Sequence, residues 1–421
     1  MLKKLYLDSF RGLSREVWLL ALVSFINRAG TMIIPFLSIY LETEIGLSTI
    51  FVGYVIASFG AGSVVGTFIG GLLTDKIGYR KIMFWSLFLS GFLFISLQYI
   101  TTFWSWMILI FIATAVSDAF RPANLTSVAV LSKPENRTRS VSLIRLAINA
   151  GWTIGPAIAG LLVYYLDYHW LFWGDGITCI LAALFFLKVI PEKAIMEDDD
   201  PVLETTAQNK SIYTDYFYFA FVGFIFISAI AFFQLFSTIA LFYETQVHLN
   251  SLQIGALMAM NGCLIALTEM PVVYILEKKN INLQIAALGS LFIGLSYFIL
   301  GFSSWWLVAV LSMLLVTIGE IFQMPFSNAF ALNRPRKENR GQYMAWYGMA
   351  YSAAFIVAPI LGTHLIEYYS WETMWFSVSL FGLVGAIGLW ILGQILSKNQ
   401  IQKRKEEEHL AEAIQKTAET L

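Results

Sequence analysis

The stretch Ser140-Val-Ser-Leu-Ile-Arg145-Leu-Ala-Ile-Asn149-Ala-Gly151-Trp152-Thr-Ile-Gly155-Pro156-Ala-Ile-Ala-Gly160 is long and apolar enough to cross a bilayer as one helix, yet it carries an arginine, an asparagine and glycines four residues apart. Small residues at that spacing let two helix backbones approach closely, which is how helices pack where water supplies no hydrophobic drive. Proline inside a membrane helix removes one backbone hydrogen bond and bends the rod. An arginine at that depth must face protein or a water-filled cavity. The segment reads as a bendable, closely packed helix beside a polar pathway, and the remaining chain as its surroundings.

Composition supports this. Of 421 residues, 58% are hydrophobic and 13% charged, a balance typical of multi-span membrane proteins and foreign to soluble domains. The net charge of −1 gives no reason to expect a nucleic-acid partner. Cys179 and Cys263 both sit in apolar runs, so buried inert thiols are expected rather than a disulfide or metal framework. There is no nucleophile–base spacing, cofactor fingerprint or metal cluster, so no enzyme, no cofactor and no metal is expected. The N-terminus, Met1-Leu-Lys-Lys-Leu-Tyr-Leu-Asp8, is too polar for a cleaved signal peptide.

Apolar runs of bilayer length recur near 16–41, 50–74, 81–100, 104–131, 140–166, 170–190, 214–243, 251–276, 281–302, 305–332, 341–368 and 371–396. This gives an all-α membrane protein of twelve transmembrane helices. With both termini cytoplasmic, every lysine and arginine falls in a cytoplasmic segment or border, except Arg28, Arg121 and Arg145, which lie inside spans. The outward loops carry Glu42, Glu44, Asp167, Glu244, Glu367 and Glu372 instead. The expected location is a cell membrane, of the bacterial inner-membrane kind, with both ends inside. No partner chain is needed to enclose a path, so a monomer is expected.

The chain also repeats itself. Glu42-Thr-Glu-Ile-Gly-Leu-Ser-Thr-Ile-Phe-Val-Gly53 aligns with Glu244-Thr-Gln-Val-His-Leu-Asn-Ser-Leu-Gln-Ile-Gly255 at an offset of 202. Glu135-Asn-Arg137 aligns with Glu338-Asn-Arg340, and Gly155-Pro156 with Ala358-Pro359, at 203. Asp118-Ala-Phe-Arg121-Pro-Ala-Asn124 resembles Glu320-Ile-Phe-Gln-Met-Pro325-Phe-Ser-Asn328. Two pseudo-symmetric six-helix bundles follow, over 1–190 and 214–397, joined by an acidic cytoplasmic linker, 191–213, and followed by a polar tail, 398–421, expected as a surface helix.

The loop Gly71-Leu-Leu-Thr-Asp75-Lys-Ile-Gly78-Tyr-Arg80-Lys81 resembles a signature of the major facilitator superfamily, with Tyr79 where an arginine often stands. Gly151-xxx-Gly155-Pro156-xxx-Gly160 resembles the fifth-helix motif of that superfamily's twelve-span drug–proton antiporters, and Gly30-xxxx-Pro35 part of their first-helix motif. Gly319-Glu320-xxxx-Pro325 is similar to the tenth helix of some drug antiporters and of proton-dependent oligopeptide transporters. The latter family also resembles Ile148-Asn149-Ala-Gly151, but Ser24 and Asn27 replace two glutamates of its first helix. The resemblance implies a secondary transporter working by alternating access. It is expected to export small amphiphilic compounds against protons; proton-coupled uptake of short peptides is the alternative, and a non-transporting receptor or assembly factor a second one. In the loop, Gly71 and Gly78 are expected to allow close approach and a tight turn. Asp75 would cap or ion-pair a helix end of the opposite half, and Arg80 hold the loop at the headgroups.

Each charge at mid-bilayer costs roughly 2.5–3.5 kcal/mol, so it needs a partner or a role. Glu320 is the leading candidate for proton coupling, with Asp118 and Glu269 behind it. Desolvation favours the neutral acid and a nearby arginine the anion, so a carboxylate alternating between dry and wet surroundings takes and releases a proton. Arg28, Arg121 and Arg145 are the candidate charge partners, with Asp118 and Arg121 spaced i,i+3 on one helix. Asn27, Asn149, Trp152, Gln234, Phe236, Trp346 and Tyr347 are the polar or aromatic mid-span residues expected to line a substrate cavity in the bilayer.

Overall fold

In a computed structural model of the chain, residues 13–132, 137–190, 212–276, 281–334 and 340–420 are described. Among them the secondary structure is helical, and twelve helices are long and apolar enough to span a membrane: Arg15–Thr43, Thr49–Thr74, Tyr79–Leu97, Phe103–Val128, Leu143–Tyr165, His169–Val189, Tyr216–Phe236, Ser251–Glu269, Asn282–Leu300, Trp306–Asn333, Tyr343–Tyr368 and Trp371–Lys398. They are called spans one to twelve. They match the expected spans to within three residues, except that spans seven and eight end seven residues earlier than expected, at Phe236 and Glu269. The polar tail does not form a separate surface helix: span twelve runs on without a break to Thr420. Most of the linker, 191–211, lies outside the described residues.

Helix packing obeys a pseudo-twofold. Within the first half, span one packs on five, two on four and three on six; within the second, seven packs on eleven, eight on ten and nine on twelve. Between the halves, span five packs on eight and two on eleven. Each pair is the image of another under exchange of the halves, as a duplicated six-helix unit requires.

The spans approach closely where glycines allow it. A Cβ on Gly151 would sit 2.5 Å from the Arg28 Cβ and 2.8 Å from the Ala29 amide nitrogen, so span five lies directly on span one. A Cβ on Gly160 would sit 2.6 Å from the Ser251 carbonyl oxygen, and one on Gly255 2.6 Å from the Pro156 oxygen. The glycine motif of span five therefore serves two neighbours, one in each half. Gly71 is different. Only Pro122 Cβ, at 3.9 Å, would meet a side chain there, so the close approach of spans two and four falls instead on Gly66 and Gly70, against Ala115 and Ala119. Gly78 takes φ +87°, the left-handed turn that glycine tolerates and other residues resist.

Spans one and seven are both interrupted at mid-membrane, at equivalent points of the repeat. Span one stops at Ala29 and restarts at Ile33. Span seven passes from an α-helix into a 3₁₀ turn over Phe233–Phe236 and restarts at Ile239. An interruption in the bilayer exposes backbone N–H and C=O groups that protein must satisfy. The two halves do so differently. In span one, the buried carboxylate of Asp175, from span six, accepts the Met32 N–H at 2.6 Å and the Ile33 N–H at 3.2 Å. In span seven, Gln234 donates to the Ala358 carbonyl at 2.9 Å and accepts from the Ser237 and Thr238 hydroxyls.

At the end opposite the termini the halves meet closely. Beyond the Gly160–Gly255 contact, the Tyr54 hydroxyl lies 3.4 Å from His364 Nε2, and the Tyr168 hydroxyl donates to Glu244 at 3.4 Å. That end is closed.

Candidate transport site

Two cavities lie at mid-membrane on the termini side of this seal. The first, about 250 Å³, is walled by both halves and includes Asn27, Arg28, Asp118, Arg121, Asp175 and Phe355 in its lining. The second, about 220 Å³, includes Arg145, Asn149, Asn261, Glu269, Glu320 and Met324. Trp152 of span five and Phe236 of span seven line both, and their ring centroids stand 5.7 Å apart. This cross-half aromatic pair is thus common to the walls of both chambers.

In the first chamber, Asp118 is buried and its carboxylate takes the Arg121 guanidinium at 2.9 Å. It also accepts a hydrogen bond from Ser63. The anticipated i,i+3 pair is present, so Asp118 is a compensated charge. The Arg28 guanidinium lies 5.9 Å from the centre of the Trp152 ring. Asn27 is buried and directs its amide toward Cys179 Sγ.

The second chamber holds two carboxylates. Glu269 pairs with Arg145 at 3.3 Å, an ion pair across the halves. Glu320 is different. The hydrogen bond it receives is from Asn261 Nδ2, at 3.4 Å, an amide that also donates to the Thr317 hydroxyl at 3.0 Å. Among the described residues no arginine, lysine or histidine stands within ion-pair distance of Glu320. An arginine partner for Glu320 was a natural expectation from the sequence; the structure gives it an asparagine instead.

Of the residues expected to line a cavity, Asn27, Asn149, Trp152 and Phe236 do so. Gln234, Trp346 and Tyr347 are absent from both linings. Gln234 is fully buried and committed to repairing the break in span seven. Trp346 packs edge-to-face on Phe219, and the Tyr347 hydroxyl bonds Ser327 at 2.8 Å. An apolar run cannot show which of its polar residues turn inward and which mend the backbone, because both kinds are buried.

In the loop after span two, Arg80 donates to the carbonyls of Ile190 at 3.2 Å and Leu187 at 3.3 Å. It therefore caps the carbonyl end of span six within its own half, a favourable place for a cation. The side chain of Asp75 lies outside the described residues. Sequence reading missed Asp175 and Asn261. The first was legible as an acid inside an apolar run, Trp173-Gly-Asp175-Gly; the second carries no signal to separate it from other span asparagines.

Comparison with known proteins agrees with this architecture. The sequence profile of the Major Facilitator Superfamily matches residues 17–353 and 285–418. An uncharacterised MFS-type transporter of Bacillus subtilis (strain 168), YttB, is 24% identical over 93% of this chain and 97% of its own length. The Na⁺, Li⁺, K⁺/H⁺ antiporter of Planococcus maritimus is 21% identical over 80% of this chain and 86% of its own. Among solved structures, a POT family transporter in complex with a thioalcohol-conjugated peptide superposes with a TM-score of 0.74 at 16% identity, covering 91% of this chain and 97% of that one. A fold of twelve paired spans around two midplane cavities, and a profile match over nearly the whole chain, make this protein a member of the Major Facilitator Superfamily.

Proposed function

We propose that this MFS-type transporter is a proton-coupled exporter of small amphiphilic compounds, and that Glu320 is its proton carrier. The supporting observation is a carboxylate in a midplane cavity wall that has an asparagine for a neighbour and, among the described residues, no cation within ion-pair distance. Hydration of the chamber favours the anion and drying the neutral acid, so rocking of the halves loads and unloads a proton. A proton crossing 100 mV supplies about 2.3 kcal/mol, sufficient for a roughly fifty-fold gradient of an uncharged solute. The aromatic rings of Phe59, Phe233, Phe236, Tyr351 and Phe355, in a lining that also carries Asn27, Arg28 and the Asp118–Arg121 pair, suit an amphiphilic ligand. The termini lie on the cytoplasmic side of a bacterial cell membrane, and the working unit is a monomer. With the termini inside, the end at which the halves meet is the outer one, and this conformation is read as closed to the outside.

A second reading, uptake of short peptides, has one specific support. Arg28 stands in one chamber and Glu320 in the other, with the Trp152–Phe236 pair common to both walls, a polarity that suits a zwitterion. Purified protein in liposomes with a trapped pH dye separates the readings. Under an imposed proton gradient, ethidium should drive proton counterflow. Dipeptides carrying protons in their own direction would favour uptake, and a broad panel with no proton movement would remove both.

A further inference from the structure

Among the described residues, Glu320 is not alone in having no cation within ion-pair distance. Asp175 is 4% exposed and lines the first chamber, as Glu320 lines the second. Among the described residues no arginine, lysine or histidine stands within ion-pair distance of it. Its two oxygens are taken up by the Met32 and Ile33 amides, at the start of the outer segment of span one. Every other acid in the two cavity linings, Asp118 and Glu269, has an arginine.

The repeat sharpens the point. The equivalent break in span seven is held by the neutral amide of Gln234 and two hydroxyls, and the position of span twelve that corresponds to Asp175 falls at Val378-Ser379. A neutral side chain therefore suffices to hold this kind of break. An acid has been placed where the fold does not demand one, in a cavity wall.

We propose that Asp175 is a second proton-binding residue, so that each chamber holds one exchangeable proton. The proposal rests on the transport reading above and extends it from one carrier to two. As the anion, Asp175 accepts both amides and pins the restart of span one. On taking a proton its hydroxyl oxygen becomes a poor acceptor for the second amide, and the outer segment of span one is held less tightly. The proton binds to one carboxylate oxygen and leaves from it; no other bond changes. The groups facing Asp175 are Asn27 and Arg28 of span one, Cys179 one turn along span six, and the Asp118–Arg121 pair across the cavity. Span three presents Gly91 and Ile95 to the neighbouring Gly176, neither of them titratable.

The test is infrared difference spectroscopy of the full chain in lipid nanodiscs, titrated from about pH 5 to about pH 9, the range over which burial brings carboxyl groups into play. Wild-type protein should show two titrating bands from buried, protonated carboxyl groups. Asp175→Asn should lose one and keep the other; Glu320→Gln should do the reverse. Should Asp175→Asn fold poorly, wild-type protein grown on isotope-labelled aspartate settles the matter, since one band should shift and the other stay. Asp118→Asn, which should lose neither band, identifies the aspartate. If no labelled band titrates, Asp175 is a permanently ionised cap and the proposal falls, whatever Glu320 does. If only the Glu320 band is missing, the proton-carrier reading of Glu320 falls and Asp175 stands.

Discussion

Asp118 and Glu320 occupy equivalent positions in the two repeats, but only Asp118 has an arginine one turn on. Arg121 lies 2.9 Å from Asp118. The residue equivalent to Arg121 is Gln323, whose amide turns away from Glu320 to donate to the Ser228 hydroxyl at 2.7 Å and the Ser290 hydroxyl at 3.2 Å. Duplication gave both halves an acid at the same depth. One half pairs its acid with an arginine; in the other, among the described residues, no cation stands within ion-pair distance of the acid. This asymmetry is the basis for proposing Glu320, rather than Asp118, as a proton carrier.

Arg121→Gln should make the first half resemble the second, leaving Asp118 buried without its cation. The arginine is half exposed, so the loss should be about 1 to 3 kcal/mol, below that for a fully buried pair. Thermal unfolding in detergent should show the drop. Adding Asp118→Asn should recover part of it, because the pair then disappears as a unit.

Gly160→Leu should destabilise the closed end. Even the Cβ would sit 2.6 Å from the Ser251 carbonyl oxygen and 3.1 Å from Gly255 Cα, and backbone cannot move aside as a side chain can. The protein should populate the opposite conformation. A cysteine introduced at Ser352, which lines the first cavity, should react several-fold faster with an impermeant thiol reagent added from the outside, in a background lacking Cys179 and Cys263. Unchanged reactivity would mean that the contact does not gate that side.

Asp215 and Arg334 tie span seven to span ten at the termini end, with two hydrogen bonds of 2.8 and 2.7 Å and a third, at 3.0 Å, from Tyr343. Burial alone would lift the Asp215 carboxyl, but Arg334, the Tyr218 amide and Tyr343 hold it below the ordinary value. The unfolded chain therefore binds this proton at higher pH than the folded one does. The contribution is fully present above the unfolded value of about 4 and is lost as pH falls through the folded value. Asp215→Asn should cost about 1 kcal/mol at neutral pH, since the pair is partly exposed, and the gap from wild type should close in acid. Melting curves at neutral and acid pH check this.

The spans were legible because the bilayer requires about twenty apolar residues per crossing, and the repeat because Glu42–Gly53 and Glu244–Gly255 kept their order. The Asp118–Arg121 pair was legible because i,i+3 spacing is local. Pairs between separate helices were not: nothing in the chain links Arg145 to Glu269, or Asp215 to Arg334, until the helices are packed. The breaks in spans one and seven were hidden for another reason. Gly30-Thr-Met32 and Phe233–Phe236 are apolar enough to pass as continuous helix, and the groups that repair them come from other spans or from the turn itself. Gln234 was misplaced as a cavity residue on that account.

The most direct measurement is substrate-dependent proton flux by Glu320→Gln in liposomes carrying a pH dye. An amide keeps the size of the side chain and its contact with Asn261 but cannot exchange a proton at physiological pH. The variant should bind ethidium and exchange it across the membrane at near wild-type rates, while ethidium-driven proton movement falls to the level of empty liposomes. Proton movement that persists at the wild-type rate would contradict the assignment of Glu320 as the carrier.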